Sequence, residues 1–152
     1  MGRLIGIDYG TRRIGIAIAD SRGIIVTPAA TLKASGTASG DAVLILEWAR
    51  QIDAAGIIVG LPLNMDGSDS AQTKSARTVA EELRKRGALP VELWDERLSS
   101  FQADLFLDDA DVRRSRRKGL RDAIAAQVIL QSYLNAQRGD DGPTDAPVAP
   151  DG

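Results

Sequence analysis

Apolar residues come in short bursts near the start of this chain and in longer periodic stretches afterwards. Leu4, Ile5 and Ile7 make a first burst, so Arg3 to Tyr9 is expected to be a strand. Ile14, Ile16 and Ile18 alternate with Gly15, Ala17 and Ala19, which predicts a second strand ending at Asp20. The gap through Gly10-Thr11 is short enough for an antiparallel hairpin. Arg22-Gly23 is another turn signal. Ile24, Ile25 and Val26 begin a third strand that Pro28 interrupts or confines to a sheet edge.

After a small polar loop, Lys33 to Gly40, the period lengthens. Asp41 is a plausible N-cap for a helix through Ala55, with Val43, Leu44, Leu46, Trp48 and Ile52 inward and Gly56 as its stop. Ile57 to Gly60 is wholly apolar, as in a parallel strand covered on both faces. A second helix is expected from Ser70 to Arg86, ended by Gly87, and a fifth strand over Val91 to Trp94. Ser99 or Ser100 can cap a helix through Leu107. Asp108 to Lys118 is charged, and a last helix runs from Leu120 to about Gln137. Three strands in a meander, then alternating helices and strands, predict a mixed α/β sheet of five strands.

Composition narrows the chemistry. The chain has 152 residues with no cysteine and no histidine. That excludes disulfides, thiolate nucleophiles, a histidine general base and imidazole metal ligands. Hydrolysis would have to use carboxylates, lysine, hydroxyls or a hard metal held by oxygen. Residues 1–138 are read as one domain and residues 139–152 as a disordered acidic Pro/Gly-rich tail. The tail holds Asp140, Asp141, Asp145 and Asp151 and no cation. The overall charge of −2 therefore hides a body of +2, with 19 cations against 17 anions. No apolar run approaches membrane-spanning length and no basic leader precedes the first strand. The expectation is a cytoplasmic protein without a membrane partner.

Functional groups in α/β sheets collect at the carboxyl ends of parallel strands. Asp8 ends the first strand, and Asp95 and Glu96 end the fifth. Asp122 opens a last helix that is apolar almost all round, so its carboxylate is expected to face protein. Bland alternatives exist for each: Asp8 closing a turn, Asp95 or Glu96 paired with Arg97, Asp122 as a helix-dipole partner. Together, converging carboxylates without histidine suit Mg²⁺ or Mn²⁺. Two such ions can activate water and stabilise the leaving oxygen of a phosphodiester. Just upstream, Arg113, Arg114, Arg116, Arg117 and Lys118 form a cationic run, read as a nucleic-acid contact to the phosphate backbone. With aromatics at 4% of the chain, backbone and shape recognition is favoured over base stacking.

Four segments in order carry a resemblance. They are Gly6-Ile7-Asp8-Tyr9-Gly10 with Arg13-Ile14-Gly15-Ile16-Ala17, Val59 to Gly67, Asp95-Glu96-Arg97-Leu98-Ser99-Ser100, and Asp122 to Ala126 with Ile129-Leu130-Gln131. Over residues 3–135 the chain resembles the YqgF/RuvX family of bacterial pre-16S rRNA nucleases, also called Holliday junction resolvase-like proteins. The resemblance implies a ribonuclease H-like three-layer fold and a metal-dependent endonuclease that matures the 5′ end of pre-16S rRNA. It implies Asp8, Glu96 and Asp122 as catalytic metal ligands. Alternation along the strand sends Asp95 and Glu96 to opposite faces without deciding between them; the resemblance favours Glu96. The expected partner is structured RNA or branched DNA, bound by a monomer or homodimer. Where related resolvases carry a fourth acid in the last helix, this chain has Ala125 and Ala126, which tilts the reading towards RNA. The alternatives are a junction-cutting DNA enzyme, a non-catalytic RNA-binding factor, and an actin-like phosphate-binding domain.

Overall fold

The computed structural model describes residues 2–87, 89–98 and 120–138. Its strands are β1 (Arg3–Tyr9), β2 (Arg13–Ala19), β3 (Val26–Lys33), β4 (Ala54–Leu61) and β5 (Val91–Asp95). The described helices are α1 (Ala38–Gln51), α2 (Ala71–Arg86) and α3 (Arg121–Gln137), with a 3-10 turn over Glu96–Leu98. The strands form one sheet in the order β3-β2-β1-β4-β5. β1, β2 and β3 are antiparallel neighbours, while β4 and β5 run parallel to β1. The expected mixed sheet is therefore present. The helix expected from Ser99 or Ser100 to Leu107, the charged stretch after it and the acidic tail lie outside the described residues.

Strand alternation divides the core in two. Ile5, Ile7, Ile14, Ile16, Ile57 and Val59 face α1 and α2, and are buried with Ala42, Ile45, Ala76, Val79 and Leu83. On the opposite face Ala17, Ala19 and Ile58 meet Ala126, Ile129, Leu130 and Leu134 of α3. The result is three layers, with α1 and α2 on one side of the sheet and α3 crossing β1, β2 and β3 on the other.

Small residues bring α3 unusually close. A Cβ on Gly6 would stand 2.8 Å from Leu130 Cβ, and one on Gly15 would collide with the Asp122 carbonyl. The close seating therefore follows from glycines on the sheet and from Ala123 and Ala126, both fully buried on the helix.

Several boundaries differ from those the pattern suggested. Helix α1 begins four residues early, capped by the Thr37 hydroxyl accepting from Gly40 N. Asp41 is instead buried in its first turn, where it accepts from the Tyr9 hydroxyl and from Ser35 N. The helix ends at Gln51, and the chain reverses through Asp53 at φ 59°, a conformation aspartate tolerates. Gly56 is thus no helix stop: it lies within β4, paired with Leu4. The fully buried face of α1 is Ala42, Ile45 and Ala49; the expected Leu46, Trp48 and Ile52 pack half-buried against the same core, while Val43 is exposed.

Ile24 and Ile25 are exposed and precede β3. Asp20 ends the second strand one residue early, because its carboxylate accepts from the Ile24 and Ile25 N–H groups and closes the turn. Pro28 does sit on the edge strand, beside a register shift that leaves Ala29 unpaired. Helix α2 matches its expected start: Ser70 and Thr73 form a reciprocal capping box. Among the described residues no helix is long and apolar enough to cross a membrane.

Candidate active site

Asp8 is the last residue but one of β1, on the face that α3 covers. Its antiparallel partner on β2 is Gly15. On β4, Gly60 follows Val59, the partner of Ile7, and so lies beside Asp8 on the other flank. Each glycine leaves room for a second acid. Gly15 admits the Asp122 backbone at the start of α3. Over Gly60 lies the Glu96 carboxylate, 2.5 Å from where a Cβ would stand. Two positions without side chains thus let Asp122 and Glu96 approach Asp8 from opposite flanks.

Alternation now separates Asp95 from Glu96. Trp94 faces α3, where its indole donates to Ser132 Oγ at 2.9 Å and its ring meets Tyr133 edge-on. Asp95 is aimed away from the group. Its carboxylate accepts from Arg97 Nη2 at 2.8 Å and from Arg97 N at 3.0 Å, and Arg97 in turn donates to the Met65 carbonyl at 3.2 Å. Glu96, at the start of the 3-10 turn, returns to the α3 face beside Asp8.

The electrostatics follow this geometry. Burial, and after it the Asp122 charge, pushes the Asp8 carboxyl up to about 6. Glu96 is pushed up to about 7 by burial first, then by Asp8, then by Asp95. The Arg97 hydrogen bonds hold Asp95 below the usual carboxylate range. One side chain at this sheet edge is therefore neutralised by its own arginine, while Asp8 and Glu96 crowd each other.

Asp122 has a different partner. Arg13 Nε, at the start of β2, donates to Asp122 Oδ2 at 2.7 Å. The two residues also line a cleft of about 480 Å³, together with Asp8, the Gly10 to Arg12 turn and Ala71, Gln72 and Ser75 near the start of α2. The donor set fits a hard divalent cation: it is all oxygen, and it carries the crowded negative charge that such an ion relieves. Asp122 is held by Arg13, and no three acidic side chains among the described residues are gathered closely enough to share one ion.

Arg13, Gly15 and Gly60 stand within the sequence motifs, but their roles here are not apparent from the motifs themselves. Glycine in strands beside an aspartate was the available signal for the latter two. Nothing local marks Arg13, because its partner lies 109 residues away. The cationic run Arg113, Arg114, Arg116, Arg117 and Lys118 lies outside the described residues.

Comparison with known proteins agrees with this architecture. A family model described as "RuvX: Holliday junction resolvase" matches residues 2–136. A protein of Endomicrobium trichonymphae named "Putative pre-16S rRNA nuclease" is 40% identical, over 90% of this chain and 98% of its own length. One of the same name from Halothermothrix orenii is 42% identical, over 89% of this chain and 96% of its own. Among solved structures, T. thermophilus RuvC in complex with a Holliday junction substrate superposes with a TM-score of 0.58 at 13% identity. It covers 91% of this chain and 97% of that one, a likeness of fold. By the family match and by identity over nearly its whole body, the chain belongs to the RuvX family.

Proposed function

We propose that this chain is a divalent-metal-dependent endonuclease that hydrolyses a phosphodiester in precursor 16S rRNA, with Asp8, Glu96 and Asp122 as the metal ligands. The observation that carries the reading is the pair of glycines, Gly15 and Gly60, that let two further acids flank Asp8. A core strand end that concentrates like charges and raises two carboxyl pKa values is costly as architecture and useful as a cation site.

Mg²⁺ or Mn²⁺, when bound, supplies an activated water and charge stabilisation for the leaving oxygen. The protein supplies the rest. Asp8 presents its carboxylate from a rigid strand. Glu96 and Asp122 present theirs from a turn and a helix packed onto the same face. The open cleft beside them admits a sugar-phosphate chain, and Arg12 and Arg13 line it with positive charge. One water adds across a P–O bond, leaving a phosphomonoester on one end and a hydroxyl on the other. Arg113, Arg114, Arg116, Arg117 and Lys118 extend the phosphate contact along the substrate. A single cut is within reach of a monomer, and the substrate places the work in the cytoplasm.

The second reading is a junction-cutting DNA nuclease, favoured by the description of the family model. Paired symmetric nicks require two sites and therefore a dimer. The deciding experiment incubates the purified chain with Mg²⁺ or Mn²⁺ and either precursor 16S rRNA or a four-way DNA junction, alongside Asp8→Asn. Cleavage of the RNA by the wild type alone supports the proposal. Paired nicks in the junction with the RNA left intact would replace it with the second reading. Identical products from wild type and Asp8→Asn would reduce the chain to an RNA-binding factor.

A further inference from the structure

Arg13 joins two parts of the cleft that have opposite needs. Its guanidinium holds Asp122 Oδ2 at 2.7 Å, yet its side chain is 63% exposed while that of Asp122 is 24% exposed. An arginine pair so open to water contributes little to stability. It is therefore easily given up. The oxygen it occupies belongs to one of the three acids proposed above as metal ligands. Arg13 also lines the same cleft wall as Asp8, Thr11 and Arg12. On leaving Asp122 it has a short distance to travel to anything lying in that cleft.

We propose that Arg13 is a two-position residue: it holds Asp122 in the ion-free protein, and on ion binding it moves to clamp the non-bridging oxygens of the substrate phosphate. This inference rests on the metal-nuclease reading above. Charge drives the exchange. A dication and a guanidinium compete for the same carboxylate and repel each other once the ion is in place. The displaced guanidinium then faces a cleft that receives an anion, and its planar fork of N–H donors matches two phosphate oxygens at once. The latch also keeps Asp122 paired while the ion is absent. Arg13 is thus a positioning residue before the ion arrives and a substrate-binding residue afterwards.

The two positions predict effects of opposite sign from one substitution. Mn²⁺ is titrated by calorimetry into the full chain after chelator treatment, for wild type, Arg13→Met, Arg13→Lys and Asp122→Asn. Circular dichroism verifies the fold of each. Arg13→Met is expected to bind Mn²⁺ about three- to tenfold more tightly, because the ion no longer displaces a partner. Binding of a labelled stem-loop RNA is then measured against salt in Ca²⁺, with the RNA checked on a gel for intactness. Arg13→Met should lose about one phosphate contact from the salt slope, and Arg13→Lys should regain it.

A purely structural arginine would weaken both affinities together. Unchanged or weaker Mn²⁺ binding by folded Arg13→Met, or an unchanged salt slope, overturns the proposal. If wild type binds Mn²⁺, Asp122→Asn does not, and Arg13→Met equals wild type, the latch alone fails. If wild type binds no Mn²⁺ at all, the metal-nuclease reading fails and takes the latch with it.

Discussion

Gly60 lies beneath the carboxylate of Glu96: a Cβ there would stand 2.5 Å from Glu96 Oε2 and 2.6 Å from Ile129 Cδ1. Both neighbours are ends of flexible side chains and can swing away. Gly60→Ala is therefore expected to leave the fold intact and to displace Glu96, lowering cleavage by at least about tenfold. The corresponding change on the other flank behaves differently. At Gly15 the obstacle is the Asp122 backbone, which cannot move without α3. Gly15→Ala should cost about 1–3 kcal/mol or more, read by thermal or denaturant melts. Full activity in Gly60→Ala would show that the room above it is not what places Glu96.

Adjacent carboxylates at the end of β5 are expected to give opposite mutational signatures. Glu96 faces the acidic group, and Glu96→Gln should reduce turnover by about two orders of magnitude or more with the melting temperature held or raised. Asp95 instead anchors Arg97, which reaches the Met65 carbonyl in the loop after β4. Asp95→Ala should loosen that loop and lower activity only modestly. Parallel kinetics and melts on the two variants check the assignment, and a greater loss in Asp95→Ala would exchange their roles.

Buried hydrogen bonding beside the site makes a stability prediction. The Tyr9 hydroxyl donates to Asp41, which is 1% exposed and also accepts from Ser35 N. Burial, and then the Asp41 hydrogen bond and charge, push the Tyr9 phenol well above its ordinary value. Tyr9→Phe leaves one carboxylate oxygen without its donor and should cost about 1–3 kcal/mol. Cleavage per folded molecule should hold, since Tyr9 faces α1 and α2 while Asp8 faces α3. A chemical-denaturation series with matched activity assays separates the two effects.

What the chain made legible follows physical range. Alternation in β1 and β2 and the apolar run in β4 are local signals, and they led to the right sheet. Asp8, Asp122 and the adjacent Asp95 and Glu96 stood out as candidates because an acid at the edge of an apolar element is locally anomalous, while only the family resemblance favoured Glu96 over Asp95. The helix start at Thr37 was missed because Asp41 looks like a cap, whereas its partner Tyr9 lies 32 residues earlier. Gly56 reads as a helix stop in isolation and is a strand residue beside Leu4. The pairing of Arg13 with Asp122 and the clearance given by Gly15 and Gly60 exist only once α3 lies on the sheet. The choice between Asp95 and Glu96 likewise needed to know which face Trp94 occupies.

Removing charge from the acidic group should stabilise the ion-free protein. Asp8→Asn keeps the side-chain shape and deletes one of the carboxylates that crowd each other. Its melting temperature in chelator is expected to rise by about 2–6 °C while cleavage falls by orders of magnitude. A fall of the same size would mean that Asp8 is there to hold the strand ends together.

The same crowding sets a pH dependence with a definite sign. Asp8 and Glu96 hold their protons up to about 6 and about 7 in the folded chain, against ordinary values of 3.8 and 4.5. Between those limits the folded state binds more protons than the unfolded chain, so stability falls as pH rises. The contribution is complete below about pH 4 and lost above about pH 7. In chelator, wild type should therefore lose melting temperature across that window relative to an Asp8→Asn, Glu96→Gln double variant, in which both groups stay neutral. Divalent ions need the ionised carboxylates, so they should release protons on binding near neutrality and cancel the wild-type decline. Calorimetry in buffers of different ionisation enthalpy counts those protons, and the cleavage rate should climb through the same range. A wild-type curve parallel to that of the double variant would mean that these two carboxyls are already ionised in the folded protein, and the charge crowding that marks this strand end as a cation site would be absent.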